Sequence, residues 1–175
     1  MGQPMRESTI QTILDALKEA RIELCCYLPD GWLAPVERAL AADPAFQVVN
    51  VTNEGEGVAM CAGSWLGGRG AVMLMENSGI RVACEELARL GLGQGIPAFM
   101  LMPYRGDLGD VPTWAQPHGW TMEPVMQALR MTYRIVRTEP ELRQAILAAP
   151  ATLAGAKNHV AVVLGIELCA GDAYA

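Results

Sequence analysis

The sequence has 175 residues, of which 51% are hydrophobic and 18% are charged, and its net charge is −6. Its length predicts one domain over residues 1–175, and an acidic chain without a basic stripe is not expected to bind nucleic acid or an anionic membrane surface. A mean hydropathy of +0.20 is high for one domain of this size, so we expect part of the surface to be buried against another chain.

Helix and strand patterns alternate along the chain. In order, they predict a helix at 8–20 with Ser8 as its N-cap, a strand at 21–29, a helix at 31–42, a strand at 46–52 and a helix at 54–67. They continue with a strand and tight turn at 70–79, a helix at 80–91, a strand at 96–104, a helix at 122–131, a strand near 133–137, a helix at 139–149 and a strand at 159–166. The opening segment has no apolar core of the length that a signal peptide or a membrane span needs.

The predicted strands are continuous apolar runs and do not alternate apolar with polar residues. Such runs are typical of a parallel sheet that is covered on both faces. The sequence therefore predicts an α/β fold, a doubly wound and mostly parallel sheet with helices on both faces. One segment, 103–121, lacks periodicity over 19 residues and contains two Trp, one His, one Arg and two Asp. Irregular segments of this length in a compact domain are commonly functional.

Polar residues follow the predicted strands, where ligands bind in open parallel sheets. Asp30 follows the first strand, and from the residues alone a turn or N-cap carboxylate is the favoured interpretation. Glu54 follows the second strand, and the alternative is a first-turn carboxylate that the helix dipole favours. Glu56 is its rival, although it lies further into the helix and is expected to face solvent.

Two residues of the irregular segment are candidates for proton transfer or anion binding. His118 is either a surface histidine or a proton-transfer group near the sheet edge. Arg105 either binds an anionic substrate group or pairs with Asp107 or Asp110.

A further pattern is a stripe of small residues in the helix at 54–67. It predicts close packing of another backbone within the sheet or across a subunit interface. Its members are Gly55, Ala59, Gly63 and Gly67.

The number and spacing of the cysteines bear on the cellular compartment and on metal binding. There are five, none in a CxxC pair, and both histidines are distant from them in sequence. This spacing predicts no metal site in the chain. An odd number of cysteines without a disulfide framework favours a reducing cytoplasm.

An ordered set of motifs resembles a known family. The sequence contains "YLPDGW", "NEGEGVAMCAG", "LMENSGI" and "IPAFMLMPYRGD" in that order. Together they resemble the pyrimidine-binding domain of thiamine-diphosphate-dependent 2-oxoacid decarboxylases. The likeness is to the alpha subunit of sulfopyruvate decarboxylase and to the matching part of phosphonopyruvate decarboxylase, and it extends from about residue 8 to 166.

The resemblance implies roles for individual residues. Glu54 would hydrogen-bond N1′ of the aminopyrimidine ring, and Asp30 would assist protonation or product release. The loop near the pyrimidine would consist of Asn77, Ser78 and Gly79. For the sulfonate of the substrate, the candidates are Arg105, Asn53 and His118.

The resemblance also implies a partner. Relatives hold the diphosphate and Mg²⁺ on a domain with a "GDG" motif, and this sequence contains none. We therefore expect a beta subunit that holds most of the cofactor, in a hetero-oligomer that converts sulfopyruvate to sulfoacetaldehyde and CO₂. The alternatives are phosphonopyruvate or another 2-oxoacid as substrate, carboligation as the reaction, or a non-catalytic flavodoxin-like binding module or scaffold.

Overall fold

A parallel sheet forms the centre of the fold. The computed structural model describes residues 5–170, and residues 1–4 and 171–175 lie outside the described part, so the assignment of 1–175 to one domain stays a prediction. The strands are β1 (Ile22–Tyr27), β2 (Gln47–Asn50), β3 (Gly70–Leu74), β4 (Phe99–Pro103), β5 (Thr132–Val136) and β6 (Val160–Leu164). Their order is β2-β1-β3-β4-β6-β5, and every neighbouring pair is parallel. The predicted α/β fold is confirmed.

Helices cover both faces of this sheet. They are α1 (Glu7–Glu19), α2 (Ala34–Ala42), α3 (Glu54–Leu66), α4 (Gly79–Val82), α5 (Cys84–Leu87), a π-helical turn (Ala88–Gly93), α6 (Gln116–Ala128), α7 (Glu139–Ala156) and α8 (Ile166–Cys169). One apolar cluster joins α1, α2 and α7 to the sheet, and a second joins α3, α5 and α6 to the opposite face. Successive strand residues alternate between the clusters, as Val72 and Met73 do in β3. Both faces are apolar, which explains the continuous apolar runs.

The predicted helix at 80–91 is wrong as one continuous element: it is interrupted at Ala83 and changes at Ala88 to a π-helical turn, where His159 is inserted. In a regular α-helix, the Gly91 N–H would bond to the carbonyl oxygen of Leu87. Here His159 Nε2 lies 2.9 Å from that oxygen and 3.1 Å from Gly91 N, so the imidazole is inserted into the helical ladder. Ala98 N donates to His159 Nδ1 at 2.9 Å, so Nε2 carries the proton that Leu87 accepts. An inserted side chain is a recognised cause of a helix distortion.

Three other helix boundaries differ from the predictions. The helix predicted at 122–131 begins at Gln116 and ends at Ala128, so the irregular segment shortens to 104–115. The helix predicted at 139–149 continues through Pro150 to Ala156. Ser8 is not the N-cap of α1, because that position is Arg6, and the Ser8 hydroxyl donates instead to Glu139 Oε1 at 2.7 Å.

The buried His159 predicts a pH-dependent stability. Burial lowers its pKa, and its ring is fully buried. Below the unfolded value of about 6.5, the unfolded chain takes up a proton that the folded chain does not. The free energy of unfolding is therefore expected to fall as pH drops from 7.5 to 5.5, by at most about 1.4 kcal/mol per pH unit from this group. Urea unfolding of the wild type and His159→Gln measures the slope, and an equal slope in both proteins would contradict the assignment.

Within residues 5–170, no helix combines the length and the apolarity that crossing a bilayer requires. All five cysteines have free thiols, and only Cys84 is exposed. In the same range, no group of three His, Cys, Asp or Glu side chains is arranged to hold a metal ion.

Candidate active site

The carboxyl ends of β1 and β3 lie side by side at the centre of the sheet. The chain leaves β1 toward β2 on one side and returns to β3 on the other, so β1 and β3 form the topological switch point. Ligands in open α/β sheets bind outside the carboxyl ends of the strands at such a point. Asp30 follows β1 and Glu76 follows β3, and these two carboxylates therefore flank the expected ligand position.

Asp30 is held by its own turn. Its Oδ1 accepts hydrogen bonds from the backbone N–H groups of Trp32 at 2.9 Å and Leu33 at 3.0 Å. Burial raises the pKa of Asp30 above its ordinary value, and the charge of Glu76 adds to this effect, against those two backbone hydrogen bonds. The turn alternative for Asp30 is correct. Asp30 is also a carboxyl group with a raised pKa, and it lies beside the switch point.

Two carboxylates at the start of α3 have different environments. Asn53 is the N-cap, and its Oδ1 accepts from Glu56 N at 3.0 Å. Glu56 is exposed, as predicted, and its Oε2 accepts from Thr52 N and Oγ1, each at 2.7 Å. Glu54 is only 8% exposed, and its carboxylate oxygens, which have no hydrogen-bond partner among residues 5–170, keep some contact with solvent. A ligand or another chain that covers this carboxylate has to supply a hydrogen-bond donor, because an unpaired buried carboxylate is costly.

Gly79 makes room for the Glu54 side chain. A Cβ atom at position 79 would lie 2.6 Å from Glu54 Cγ and 2.8 Å from Met75 Sδ. Both distances are too short for any residue larger than glycine without movement of a neighbour. The backbone of the "NSG" segment therefore contacts Glu54 directly.

Asn77 presents a second unsatisfied group. It is 1% exposed, and its Nδ2 donates to the Arg105 carbonyl oxygen at 2.9 Å. Its Oδ1 is buried without a partner among the described residues. Buried polar atoms are rarely left unpaired, so this atom indicates a missing donor. The neighbouring Ser78 hydroxyl donates to Glu76 Oε1 at 2.7 Å.

Arg105 is fixed on all sides. Its Nε and Nη2 donate to the Asp110 carboxylate at 2.8 and 3.2 Å, and Nη1 lies 4.0 Å from Glu76 Oε2. The guanidinium carbon is 4.3 Å from the ring centroid of Trp32 and 4.4 Å from that of Trp114. Of the two pairings left open by the sequence, the one with Asp110 is observed.

His118 lies in the first turn of α6 and connects two charged residues. Its Nδ1 is 2.6 Å from Arg81 Nη2, and its Nε2 is 3.4 Å from Glu76 Oε1. Sequence reasoning missed Arg81 altogether. Its position three residues after Ser78, on the helix that follows the "NSG" loop, was the available signal.

Most of the predicted site residues thus gather around Glu76. We call this group the edge cluster, and its members are Asp30, Glu76, Ser78, Arg81, Arg105 and His118. Glu54 lies next to this cluster, because it packs against Gly79, the neighbour of Ser78. Asn77 is joined to the cluster by its hydrogen bond to the Arg105 carbonyl oxygen. Asn53 is exposed, and the described hydrogen bonds of its side chain involve only Thr52 and Glu56. A cavity of about 720 Å³ lies at the opposite, amino-terminal edge of the strands and contains none of these residues.

The irregular segment has a second anchor, Asp107, which lies outside the edge cluster. Arg137 donates to both Asp107 oxygens at 2.7 and 3.0 Å, and Leu108 N donates to Oδ1 at 2.8 Å. Desolvation by burial would raise the pKa of Asp107, but the hydrogen bonds from Arg137 hold that pKa below its ordinary value.

We expect Asp107→Asn to lower the free energy of unfolding by about 1–2 kcal/mol, since it removes a charged acceptor of several hydrogen bonds. Urea unfolding at pH 7 measures the change. Glu167→Gln is the matched control, because Glu167 binds the same Arg137 but is more exposed. That control is expected to cost less than about 0.5 kcal/mol. Equal effects of both variants would contradict an anchoring role for Asp107.

No protein-family model matches the sequence. Among curated proteins, the sulfopyruvate decarboxylase subunit alpha of Methanothermobacter thermautotrophicus is 30% identical over 142 residues, which are 81% of this chain and 86% of that protein. The chain belongs to the sulfopyruvate decarboxylase alpha-subunit family. The resemblance that the motifs predicted is confirmed.

Further members and relatives agree with this assignment. The sulfopyruvate decarboxylase subunit alpha of Methanococcus maripaludis is 26% identical over 154 residues, covering 88% of this chain and 92% of that protein. The phosphonopyruvate decarboxylase of Streptomyces viridochromogenes is 35% identical over 83 residues, covering 47% of this chain and 21% of that protein. In this member of the sulfopyruvate decarboxylase alpha-subunit family, the edge cluster and Glu54 are the candidate active site.

Proposed function

We propose that the chain is the alpha subunit of a two-chain, thiamine-diphosphate-dependent decarboxylase that converts sulfopyruvate to sulfoacetaldehyde and CO₂. The observation that carries this proposal is the buried Glu54 carboxylate, unpartnered among residues 5–170, at the start of α3 beside Gly79. The second unsatisfied group, Asn77 Oδ1, lies on the same "NSG" segment. An aminopyrimidine offers both a ring nitrogen and an amino group, and so it fits a site that combines the Glu54 carboxylate with the buried, unpaired Asn77 Oδ1.

The residues of this chain have separate tasks in the proposal. Glu54 would bind the pyrimidine ring and hold a proton at its carboxyl group, and Asn77, Ser78 and Gly79 would position the ring. When bound, thiamine diphosphate supplies a carbanion that adds to the keto carbon and an electron sink for the pair released with CO₂. Asp30, whose pKa is raised by burial, would deliver a proton to the carbon that lost CO₂.

A partner subunit is part of the proposal. The edge cluster lies at the carboxyl ends of the strands, and large apolar side chains are exposed nearby. They are Leu108 (93%), Val111 (83%) and Trp114 (55%) in the irregular segment and Trp120 (70%) in α6. Such a group of exposed apolar residues is typical of an interaction surface. We infer that a beta subunit covers this edge and holds the diphosphate and Mg²⁺. The free cysteines support a location in a reducing cytoplasm.

Purification of the tagged chain from its native cell tests the proposal. The eluate is assayed for sulfopyruvate decarboxylation with and without thiamine diphosphate and Mg²⁺. A co-purifying chain with a "GDG" motif and cofactor-dependent CO₂ release is the expected result. A lone chain that is inactive with every 2-oxoacid would favour the non-catalytic binding module.

Phosphonopyruvate is the second candidate substrate, because a phosphonopyruvate decarboxylase shares 35% identity over 83 residues. The same eluate is therefore assayed with both acids, and a higher kcat/KM for phosphonopyruvate would replace sulfopyruvate in the proposal. Detection of a carbon–carbon ligation product in place of the aldehyde would instead indicate carboligation.

A further inference from the structure

Arg81 is a cation of the edge cluster that no described carboxylate neutralises. It lies on α4, two residues after the Gly79 that contacts Glu54, and it is exposed. Its guanidinium contacts His118, with Nη2 2.6 Å from Nδ1. Within residues 5–170, no carboxylate oxygen lies within ion-pair distance of its guanidinium.

Arg105, the arginine that sequence reasoning selected, is different. Asp110 occupies the Nε–Nη2 edge of its guanidinium, Glu76 lies 4.0 Å from Nη1, and the two faces are covered by Trp32 and Trp114. It is 7% exposed. A substrate anion could bind its Nε edge only after displacing a buried carboxylate, which is costly because breaking a buried ion pair leaves an unpaired charge.

His118 fixes the orientation of Arg81. Because Nδ1 accepts from the arginine, the proton of a neutral ring is on Nε2, which points toward Glu76 Oε1 at 3.4 Å. A neutral acceptor leaves the full positive charge on Arg81 and leaves its other N–H groups available. A guanidinium binds an oxyanion through two parallel hydrogen bonds, a geometry that suits sulfonate and phosphonate alike.

We propose that Arg81 binds the sulfonate of the substrate and that His118 positions it for this contact. The inference rests on the proposed decarboxylase function and names the residue that makes the enzyme prefer a 2-oxoacid with a second anionic group. Pyruvate lacks that group, so the contribution of Arg81 is expected to appear in the ratio of kcat/KM for sulfopyruvate to kcat/KM for pyruvate.

The test uses the complete alpha–beta complex with Arg81→Gln and Arg81→Lys. We expect Arg81→Gln to lower this ratio about 10- to 100-fold, as loss of charge-assisted hydrogen bonds does, and Arg81→Lys to have an intermediate effect. The matched control is Arg89→Gln, since Arg89 is an exposed arginine of the same region that already pairs with Glu85. The control is expected to leave the ratio unchanged.

A binding measurement separates this inference from the proposed function. 3-Sulfopropanoate, which has no keto group, is titrated calorimetrically into the complex and is expected to bind the wild type at least 10-fold more tightly than Arg81→Gln. If the wild type decarboxylates no 2-oxoacid, the proposed function and the inference fail together. If it is active but Arg81→Gln leaves both the ratio and the binding of 3-sulfopropanoate unchanged, the inference alone is overturned.

Discussion

Glu54→Gln is expected to abolish decarboxylation by the complex, with kcat reduced by about 10²–10⁴-fold, the usual contribution of a positioned acid–base group. The change keeps the size of the side chain but removes its ability to hold and release a proton. Because Glu54 is buried without a partner among residues 5–170, replacing its charge is expected to leave the fold unchanged or slightly more stable. Steady-state rates at saturating thiamine diphosphate and Mg²⁺ measure the effect.

Glu56→Gln is the matched control for this experiment. Both carboxylates lie in the first turn of α3, but Glu56 is exposed, and its carboxylate accepts hydrogen bonds from the backbone and side chain of Thr52. We expect this variant to keep kcat within about twofold and to lose less than about 1 kcal/mol of stability, the usual value of a capping contact. A kcat in Glu54→Gln within about tenfold of the wild type, or an equal fall in both variants, would refute the assignment of Glu54.

Gly91→Ala is expected to have the largest effect on stability. A Cβ atom at position 91 would lie 2.3 Å from both Cδ2 and Nε2 of His159, and 2.6 Å from Asn158 Oδ1. The imidazole is fully buried and bonded at both nitrogens, so it cannot move aside without losing the Leu87 or the Ala98 contact. We expect about 3 kcal/mol of destabilisation, the upper part of the range for overpacking.

Thermal unfolding followed by circular dichroism measures this change, which corresponds to about 6–12 °C in Tm for a chain of this size. Gly155→Ala in α7 is the control, because a Cβ there meets nothing within 4 Å. This control is expected to raise stability by up to about 1 kcal/mol, as alanine favours a helix over glycine. A Gly91→Ala protein as stable as the wild type would contradict the inserted-imidazole arrangement.

The sheet and the location of Glu54 could be predicted because the signals are local. Apolar runs mark the strands, and the junction of "VVNVT" with "NEGEG" marks where a strand gives way to a helix. Asp30 follows β1 in the same way. These residues needed only the rule that the carboxyl ends of parallel strands share an edge.

The rest of the site depends on contacts that spacing does not reveal. Arg81 meets His118 across 37 residues of sequence, and neither has a periodic neighbour that indicates the pairing. The start of α6 was missed because Pro117 and Gly119 are typical helix breakers, although proline is well tolerated in the first turn. The π-helical turn that ends the helix predicted at 80–91 contacts His159, which lies 68 residues beyond Gly91.

The order of the sheet has a consequence for synthesis of the chain on the ribosome. β6 is the last of the described strands along the chain, yet it lies between β4 and β5, and β5 has no other neighbour. Until residues 160–164 emerge, β4 has one open edge, although all five of its residues are buried in the finished sheet. An open apolar edge readily pairs with other chains, and pairings between distant segments form slowly. We therefore expect the nascent chain to be most prone to aggregation before its sixth strand inserts.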